Sequence, residues 1–106
     1  MENYFEISEL DHQREAAKKL YLEFLRLPSM SAGVYTLGVG SVDPQKPHNE
    51  DEMYYVIGGR ARMQVGSEDR AIAEGSVIFV GAKVAHRFHD ITEELTVLVF
   101  FAPAES

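Results

Sequence analysis

Three side chains in this sequence, His48, Glu52 and His86, are of the types that bind transition metals. Imidazole nitrogen and carboxylate oxygen suit Fe, Mn, Ni, Co, Cu and Zn, and a set of three protein ligands leaves coordination positions open for substrate or oxygen. His48 and Glu52 are four residues apart, so they share a face if both lie on one strand. His86 begins a later apolar run, so its approach depends on the fold. Taken singly, none of the three is evidence for a metal site, because a histidine or a glutamate in an acidic loop is more typical of a solvated surface.

The elements that must position these side chains are predicted to be short β-strands. From Gly33 onward, apolar runs of strand length alternate with clusters of Gly, Pro, Asp and Ser that indicate turns. Recurring short strands separated by turns predict an all-β sandwich or barrel. The predicted strands are residues 34–37, 53–57, 61–65, 70–73, 77–80, 86–89 and 95–101.

The first 32 residues differ in pattern from the rest. Residues 8–19 contain good helix formers, and Ser8 or Asp11 could cap the N-terminal end of a short helix. Residues 20–27 are compatible with a continued helix or with a strand, and their aromatic content and the following proline favour a strand. We expect one domain overall, with a helix and an edge strand in residues 1–32 and a barrel in residues 33–106.

Composition excludes several classes of function. The net charge of −7, with only 10 scattered Lys and Arg residues, argues against nucleic acid as a partner. The chain has no cysteine, which excludes disulfides, zinc-thiolate sites and thiol nucleophiles. The N-terminus lacks the features of a signal peptide, and no apolar run approaches the roughly 18 residues that a membrane span needs. The prediction is a cytoplasmic protein with no membrane partner.

Glycines flank the candidate ligands at regular distances. Gly40 is followed after five residues by Lys46, then by His48 and Glu52, and six residues separate Glu52 from Gly59. This pattern resembles the first motif of the cupin superfamily, which reads Gly, five residues, His-x-His, three or four residues, Glu, six residues, Gly. Lys46 stands where the family usually has its first histidine.

A second pattern resembles the other cupin motif, which reads Gly, five residues, Pro-x-Gly, two residues, His, three residues, Asn. Gly75 and His86 match it, whereas Gly81, Lys83 and Asp90 replace the proline, the second glycine and the asparagine. The 15 residues from 60 to 74 between the motifs form a short spacer, as in small single-domain microbial cupins of the cupin-2 type. The resemblance covers roughly residues 33 to 103.

What this resemblance implies is a cupin jelly-roll barrel, a double-stranded β-helix, with a divalent transition metal (Fe, Mn, Ni or Zn) inside it. The implied ligands are His48, Glu52 and His86, a two-His, one-carboxylate set like that of non-haem Fe(II) oxygenases. Lys46 could point at the open coordination position and bind a substrate carboxylate or phosphate, or it could face solvent. Gln45 could instead turn in as a weak oxygen ligand.

Tyr54 is the other candidate for substrate binding. Because side chains alternate along a strand, Tyr54 shares the face of Glu52, and its hydroxyl could reach the cavity as a hydrogen-bond donor or general acid. Packing inside the barrel is the alternative role.

Two predicted strands are apolar on both faces. Residues 52–57 place Met53, Tyr55 and Ile57 opposite the Glu52 face, and residues 95–101 are almost continuously hydrophobic. A small barrel buries only one face of such strands in its own core, so the other face is expected to contact a second copy. The prediction is a homodimer.

The function indicated by these features is that of a small metal-binding cupin, and two hypotheses follow. The first is a metal-dependent enzyme acting on a small polar metabolite, with dioxygenase, isomerase and lyase chemistry all open. The alternative is a non-catalytic cupin module that binds a small sugar or anion. No DNA-binding domain accompanies the barrel within these 106 residues, which favours the enzyme.

Overall fold

The computed structural model describes residues 2–106 and confirms the predicted all-β fold with a short N-terminal helix. Every pairing between its strands is antiparallel. In chain order the elements are α1 (Ile7–Ala16), β1 (Tyr21–Leu27), β2 (Met30–Leu37), β3 (Asp51–Val65), β4 (Glu68–Ala73), β5 (Val77–Val80) and β6 (His86–Ala102).

Helix α1 is shorter than the predicted helix over residues 8–19. Its N-cap is Glu6, with no side-chain cap hydrogen bond, and it ends before Lys18, whose φ of 56° lies in the left-handed region. Asp11 does not cap the helix but pairs with Arg14 at 2.9 Å. Within residues 2–106 no helix has the length and apolar character needed to cross a lipid bilayer.

Residues 21–27 form strand β1, as their composition favoured. This strand is the edge of a sheet in the order β1-β2-β6-β3-β4, and β5 pairs with β3 off that path. Strand β3 is central, because it pairs with β5 through residues 52–55, with β4 through residues 60–65, and with β6 along most of its length.

In two places, two strands that were predicted separately form one long strand. Residues 53–57 and 61–65 both belong to β3, and residues 86–89 and 95–101 both belong to β6. The Gly58-Gly59 pair, expected to be a turn, is instead a bend at which the β3–β6 register shifts. Gly59 has a φ of 103°, and a Cβ there would collide with the carbonyl oxygen of Glu94. The bend therefore depends on glycine.

The inner face of β3 is the one predicted from its alternation. Glu52, Tyr54 and Val56 are buried, whereas Met53 and Tyr55 on the opposite face are exposed. Val56 and Tyr54 pack in an apolar core that β2, β3 and β6 share. Glu52 is the exception, because it is the charged residue among these three buried side chains.

Candidate metal centre

The three predicted metal ligands come from three different segments. His48 lies in the loop that precedes β3, Glu52 is the second residue of β3, and His86 is the first residue of β6. The backbone N–H of Lys83 donates to the carbonyl oxygen of His48 at 2.6 Å, which ties the loop before β3 to the loop before β6. The two imidazole rings are consequently 5.2 Å apart between centroids.

The structure brings one potential ligand atom of each residue within 4.8 Å of the other two. Nε2 of His86 is 3.2 Å from Oε1 of Glu52, and Nε2 of His48 is 3.7 Å from the same oxygen. Ligands about 2.1 Å from one metal ion are separated by about 3.0 Å at right angles and about 3.4 Å in a tetrahedron. The spacings are therefore close to those of ligands that share an ion.

Buried polar atoms in this cluster lack hydrogen-bond partners. Within residues 2–106, neither carboxylate oxygen of Glu52 is hydrogen-bonded, nor is Nε2 of His86, and each side chain is only 1 % exposed. A buried carboxylate without compensation is costly, so such groups are normally paired or coordinate a metal. The donor set therefore fits a divalent transition metal.

His86 is oriented for ligation by its second nitrogen. Nδ1 lies 2.9 Å from the carbonyl oxygen of Val84, which can only accept, so in the neutral ring Nδ1 carries the proton and Nε2 offers its lone pair to the cluster. Burial alone would lower the pKa of His86, but the Glu52 carboxylate and the Val84 carbonyl outweigh burial and raise that pKa above its ordinary value.

His48 also has an acceptor at each nitrogen. Nδ1 is 3.1 Å from Oε2 of Glu105, and Nε2 is 3.2 Å from Oε1 of Gln45. A neutral imidazole donates only one hydrogen bond, so one of these contacts places two lone pairs against each other. A cation at Nε2, either a proton or a metal ion, removes that conflict.

The side chain of Gln45 is held in one orientation. Its Nε2 donates to Oδ2 of Asp43 at 2.9 Å, and its Oε1 accepts from the Tyr54 hydroxyl at 2.8 Å. Asp43 is in turn fixed by the Tyr35 hydroxyl at 2.6 Å and by the backbone N–H of Phe88 at 2.9 Å. The carbonyl oxygen of Gln45 is thereby aimed at the same region as Nε2 of His48.

The two predicted substrate-binding residues have different surroundings. Lys46 is exposed, and it is not among the residues of 2–106 that line the cavity beside His48. Tyr54 is fully buried, with its ring against Phe88 at 4.9 Å and His86 at 6.2 Å between centroids. Burial and the Glu52 charge raise the pKa of Tyr54 well above its usual value, so its hydroxyl remains a donor at neutral pH.

A cavity of about 130 Å³ adjoins His48 and Gln45. Its walls are Tyr21, Tyr35, Val99, Phe101 and Glu105. Burial, opposed by His48, raises the pKa of the Glu105 carboxyl, and the charges of Glu52 and Glu50 raise it further.

Sequence reasoning missed Tyr21, Tyr35, Asp43 and Glu105. The aromatic content of residues 20–27 indicated a strand but gave no direction for the Tyr21 side chain, because the register of β1 on β2 decides it. Asp43 lies between the glycine and the first histidine position of the motif, and its bonds to Phe88 and Tyr35 form only when the barrel closes. No spacing pattern in the sequence could have identified these residues.

Comparisons with known proteins support the observed fold. The family model "Cupin domain" matches residues 33–102. A protein of Streptomyces coelicolor that carries the description "uncharacterized protein" is 51% identical over 102 residues, which are 96% of this chain and 97% of that protein.

Solved structures share the fold at low sequence identity. The TT1209 protein from Thermus thermophilus has a TM-score of 0.75 and 22% identity, over 97% of this chain and 99% of that one. The DMSP lyase DddQ from Ruegeria pomeroyi has a TM-score of 0.70 and 18% identity, over 80% of this chain. The aligned part is 48% of the lyase, so this chain spans about half the length of that enzyme.

Proposed function

The chain belongs to the cupin family, and on that basis we propose that it is a small metal-dependent enzyme acting on a small polar metabolite. The observation that carries the proposal is the buried carboxylate of Glu52, which has no hydrogen-bond partner within residues 2–106 and faces two imidazoles. A protein that uses its barrel only for packing has no reason to bury these three groups together.

His48, Glu52 and His86 would hold the metal, and we propose the amide oxygen of Gln45 as a fourth ligand. Its separation of 3.2 Å from Nε2 of His48 matches the spacing of adjacent ligands. Gln45 would then occupy the position that Lys46 takes in the motif by spacing. The predicted binding of a substrate anion by Lys46 stays a prediction, and the exposure of its side chain lends it no support.

When bound, the metal would supply a Lewis acid or an oxygen-binding centre. The residues around it have roles that follow from their contacts. The Tyr54 hydroxyl and Asp43 hold Gln45 at its oxygen and nitrogen, and the carboxylate of Glu105, 3.1 Å from Nδ1 of His48, favours the tautomer that is protonated at Nδ1 and leaves Nε2 free. Val99 and Phe101 provide the apolar part of the cavity wall.

The reaction type stays open among dioxygenase, isomerase and lyase chemistry. Similarity to a DMSP lyase at 18% identity supports the fold and indicates no substrate for this chain. The non-catalytic alternative, a cupin that binds a sugar or an anion, becomes the better interpretation if the site does not take up metal. The cytoplasmic location likewise stays a prediction.

The ligand set can be tested by titrating Zn²⁺ into metal-free protein and measuring the heat of binding. We expect His86→Ala to lower the affinity at least about a hundredfold, because one of three strong ligands is lost. The matched control is His89→Ala, since His89 also lies on β6 but bonds to Asp69 at 2.9 Å, away from the cluster. Equal zinc affinity in wild type and His86→Ala would refute the proposed site.

A homodimer is also proposed, and the outer surface of the sheet supports it. Met53, Tyr55, Val77 and Phe79 are between 42% and 60% exposed, although all are large and apolar. Met53 pairs with Phe79 and Tyr55 with Val77 across the β3–β5 ladder, so the four side chains form one patch, here called the β3–β5 patch. A continuous apolar patch on a sheet face is typical of a subunit contact.

A further inference from the structure

The hydroxyl of Tyr21 is an unexplained polar group outside both sequence motifs. It is buried and has no hydrogen-bond partner within residues 2–106, and Tyr21 lines the cavity beside His48. A buried hydroxyl without a partner costs free energy, so natural proteins keep few of them. Tyr21 is therefore a candidate for contact with something that enters the cavity.

The fold makes room for this ring at Gly33. A Cβ at position 33 would collide with the ring and the hydroxyl oxygen of Tyr21, so any other residue there would displace them. Gly33 is on β2, the strand that pairs with β1, and Tyr21 lies diagonally across from it. The absent side chain at position 33 thus leaves the space that the ring and hydroxyl of Tyr21 occupy.

A second polar group of the cavity, the Glu105 carboxylate, is held by its own backbone. The N–H of Glu105 donates to the Ser31 hydroxyl at 3.0 Å, and its carbonyl oxygen accepts from Arg26 at 2.6 Å. Oε2 contacts Nδ1 of His48 at 3.1 Å. The lining of the cavity therefore includes a hydroxyl, a carboxylate and the apolar side chains of Val99 and Phe101.

Charge limits what this cavity can accept. Its lining within residues 2–106 contains no Lys or Arg, whereas Glu105 faces it and Glu52 lies behind His48. With a divalent metal bound, the two carboxylates balance the charge of the ion, so an anionic ligand gains little attraction and meets Glu105 directly. A neutral ligand avoids that repulsion.

The volume of the cavity also limits the size of the ligand. The volume of about 130 Å³ is close to the cavity of about 150 Å³ that accommodates a benzene ring in an engineered protein. The part of a ligand that lies inside the cavity is therefore expected to have about six non-hydrogen atoms.

We propose that the Tyr21 hydroxyl and the Glu105 carboxylate together recognise a small neutral compound that carries a hydroxyl group and a second, acceptor oxygen, of which a hydroxyketone is the simplest probe. Tyr21 donates to an acceptor oxygen of the ligand, and Glu105 accepts from a ligand hydroxyl. This inference deepens the proposed function and rests on it, because the recognised ligand lies next to the metal site. It also separates this chain from the anion-binding alternative.

The first test uses protein stability and needs no ligand. Tyr21→Phe removes only an unpartnered hydroxyl, so the melting temperature of the metal-free protein should stay the same or rise. Tyr35→Phe removes a hydroxyl that bonds to Asp43, so it should lower the melting temperature. A drop for Tyr21→Phe as large as that for Tyr35→Phe would mean that the Tyr21 hydroxyl is structural, and would overturn the proposal.

The second test measures binding of hydroxyacetone and of pyruvate, two three-carbon ketones that differ in charge. Ligand-observed NMR would follow both probes in metal-free and Zn²⁺-loaded protein. Hydroxyacetone should bind, with an affinity about threefold to tenfold weaker in Tyr21→Phe and unchanged in Tyr4→Phe, whose tyrosine is 87% exposed. Glu105→Gln should strengthen pyruvate binding and weaken hydroxyacetone binding.

The outcomes distinguish this proposal from the proposed function. Failure of the wild-type protein to bind Zn²⁺, measured beforehand by calorimetry, refutes the metal-dependent function. Zn²⁺ binding with no hydroxyacetone binding, or with equal binding by Tyr21→Phe, refutes the recognition proposal alone. Pyruvate binding that Glu105→Gln does not strengthen also overturns it.

Discussion

Within the candidate site, the orientation of Gln45 decides whether a fourth ligand faces the three proposed ones. His48, Glu52 and His86 are grouped in the sequence by their resemblance to the two cupin motifs. The orientation of Gln45 was not visible, since Asp43 and Tyr54 determine it through hydrogen bonds at 2.9 and 2.8 Å. Lys46, which the spacing places at a ligand position, is exposed instead.

The role of Gln45 gives a prediction at this scale. Gln45→Ala should weaken Zn²⁺ binding about tenfold to a hundredfold, because it removes an oxygen ligand and leaves the Tyr54 hydroxyl unpaired. Lys46→Ala, the matched control in the neighbouring position, should leave the affinity within about twofold of wild type. Calorimetric titration of the metal-free proteins measures both effects.

The Zn²⁺ affinities of these two variants could contradict the proposed role of Gln45. If Lys46→Ala weakens binding and Gln45→Ala does not, the fourth ligand position belongs to the residue that the motif spacing indicates. The spectrum of the Co²⁺-loaded protein adds a readout of the ligand set, since its visible bands respond to coordination number and geometry.

Among the elements, strand β3 connects the site to the rest of the barrel. Its first residues supply Glu52 and Tyr54, and its later residues pair with β4 and β6 beyond a bend at Gly58 and Gly59. Sequence patterns predicted a break in the strand here because two glycines normally mark a turn. The strand continues past the two glycines because β3 stays paired with β6 on both sides of them, and only the register of that pairing shifts.

The bend predicts that alanine substitutions at Gly58 and Gly59 change the free energy of unfolding by different amounts. Gly59→Ala should lower the free energy of unfolding by about 3 kcal/mol, because a Cβ would collide with the Glu94 backbone and φ is strongly positive. Gly58→Ala is the control, since a Cβ there meets nothing within 4 Å, and we expect a change of less than about 1 kcal/mol. Urea denaturation would determine both values, and equal effects would contradict this account of the bend.

At the scale of the whole molecule, the fold could be predicted and the assembly remains a proposal. The strand-length apolar runs and two glycine-flanked motifs were sufficient for an all-β cupin barrel, because both signals are local in the sequence. The merging of strands into β3 and β6, and the network around Asp43, depend on pairings between residues distant in sequence. Such pairings leave no periodic signal in a single chain.

The β3–β5 patch provides the prediction for assembly. Phe79→Glu should shift the protein from dimer to monomer, because it places a charge in the centre of the apolar contact. Val39→Glu changes an exposed apolar residue outside the patch and should leave the mass unchanged. Sedimentation equilibrium measures the mass directly. A wild-type protein that is monomeric at every concentration tested would contradict the proposed homodimer.

The most direct test of the central claim is elemental analysis of the protein purified without an affinity tag or chelator. The cluster of His48, Glu52 and His86 predicts about one ion of Fe, Mn, Ni or Zn per chain. Protein that contains no transition metal, and that takes up none on titration, would contradict the claim that this buried cluster is a metal centre.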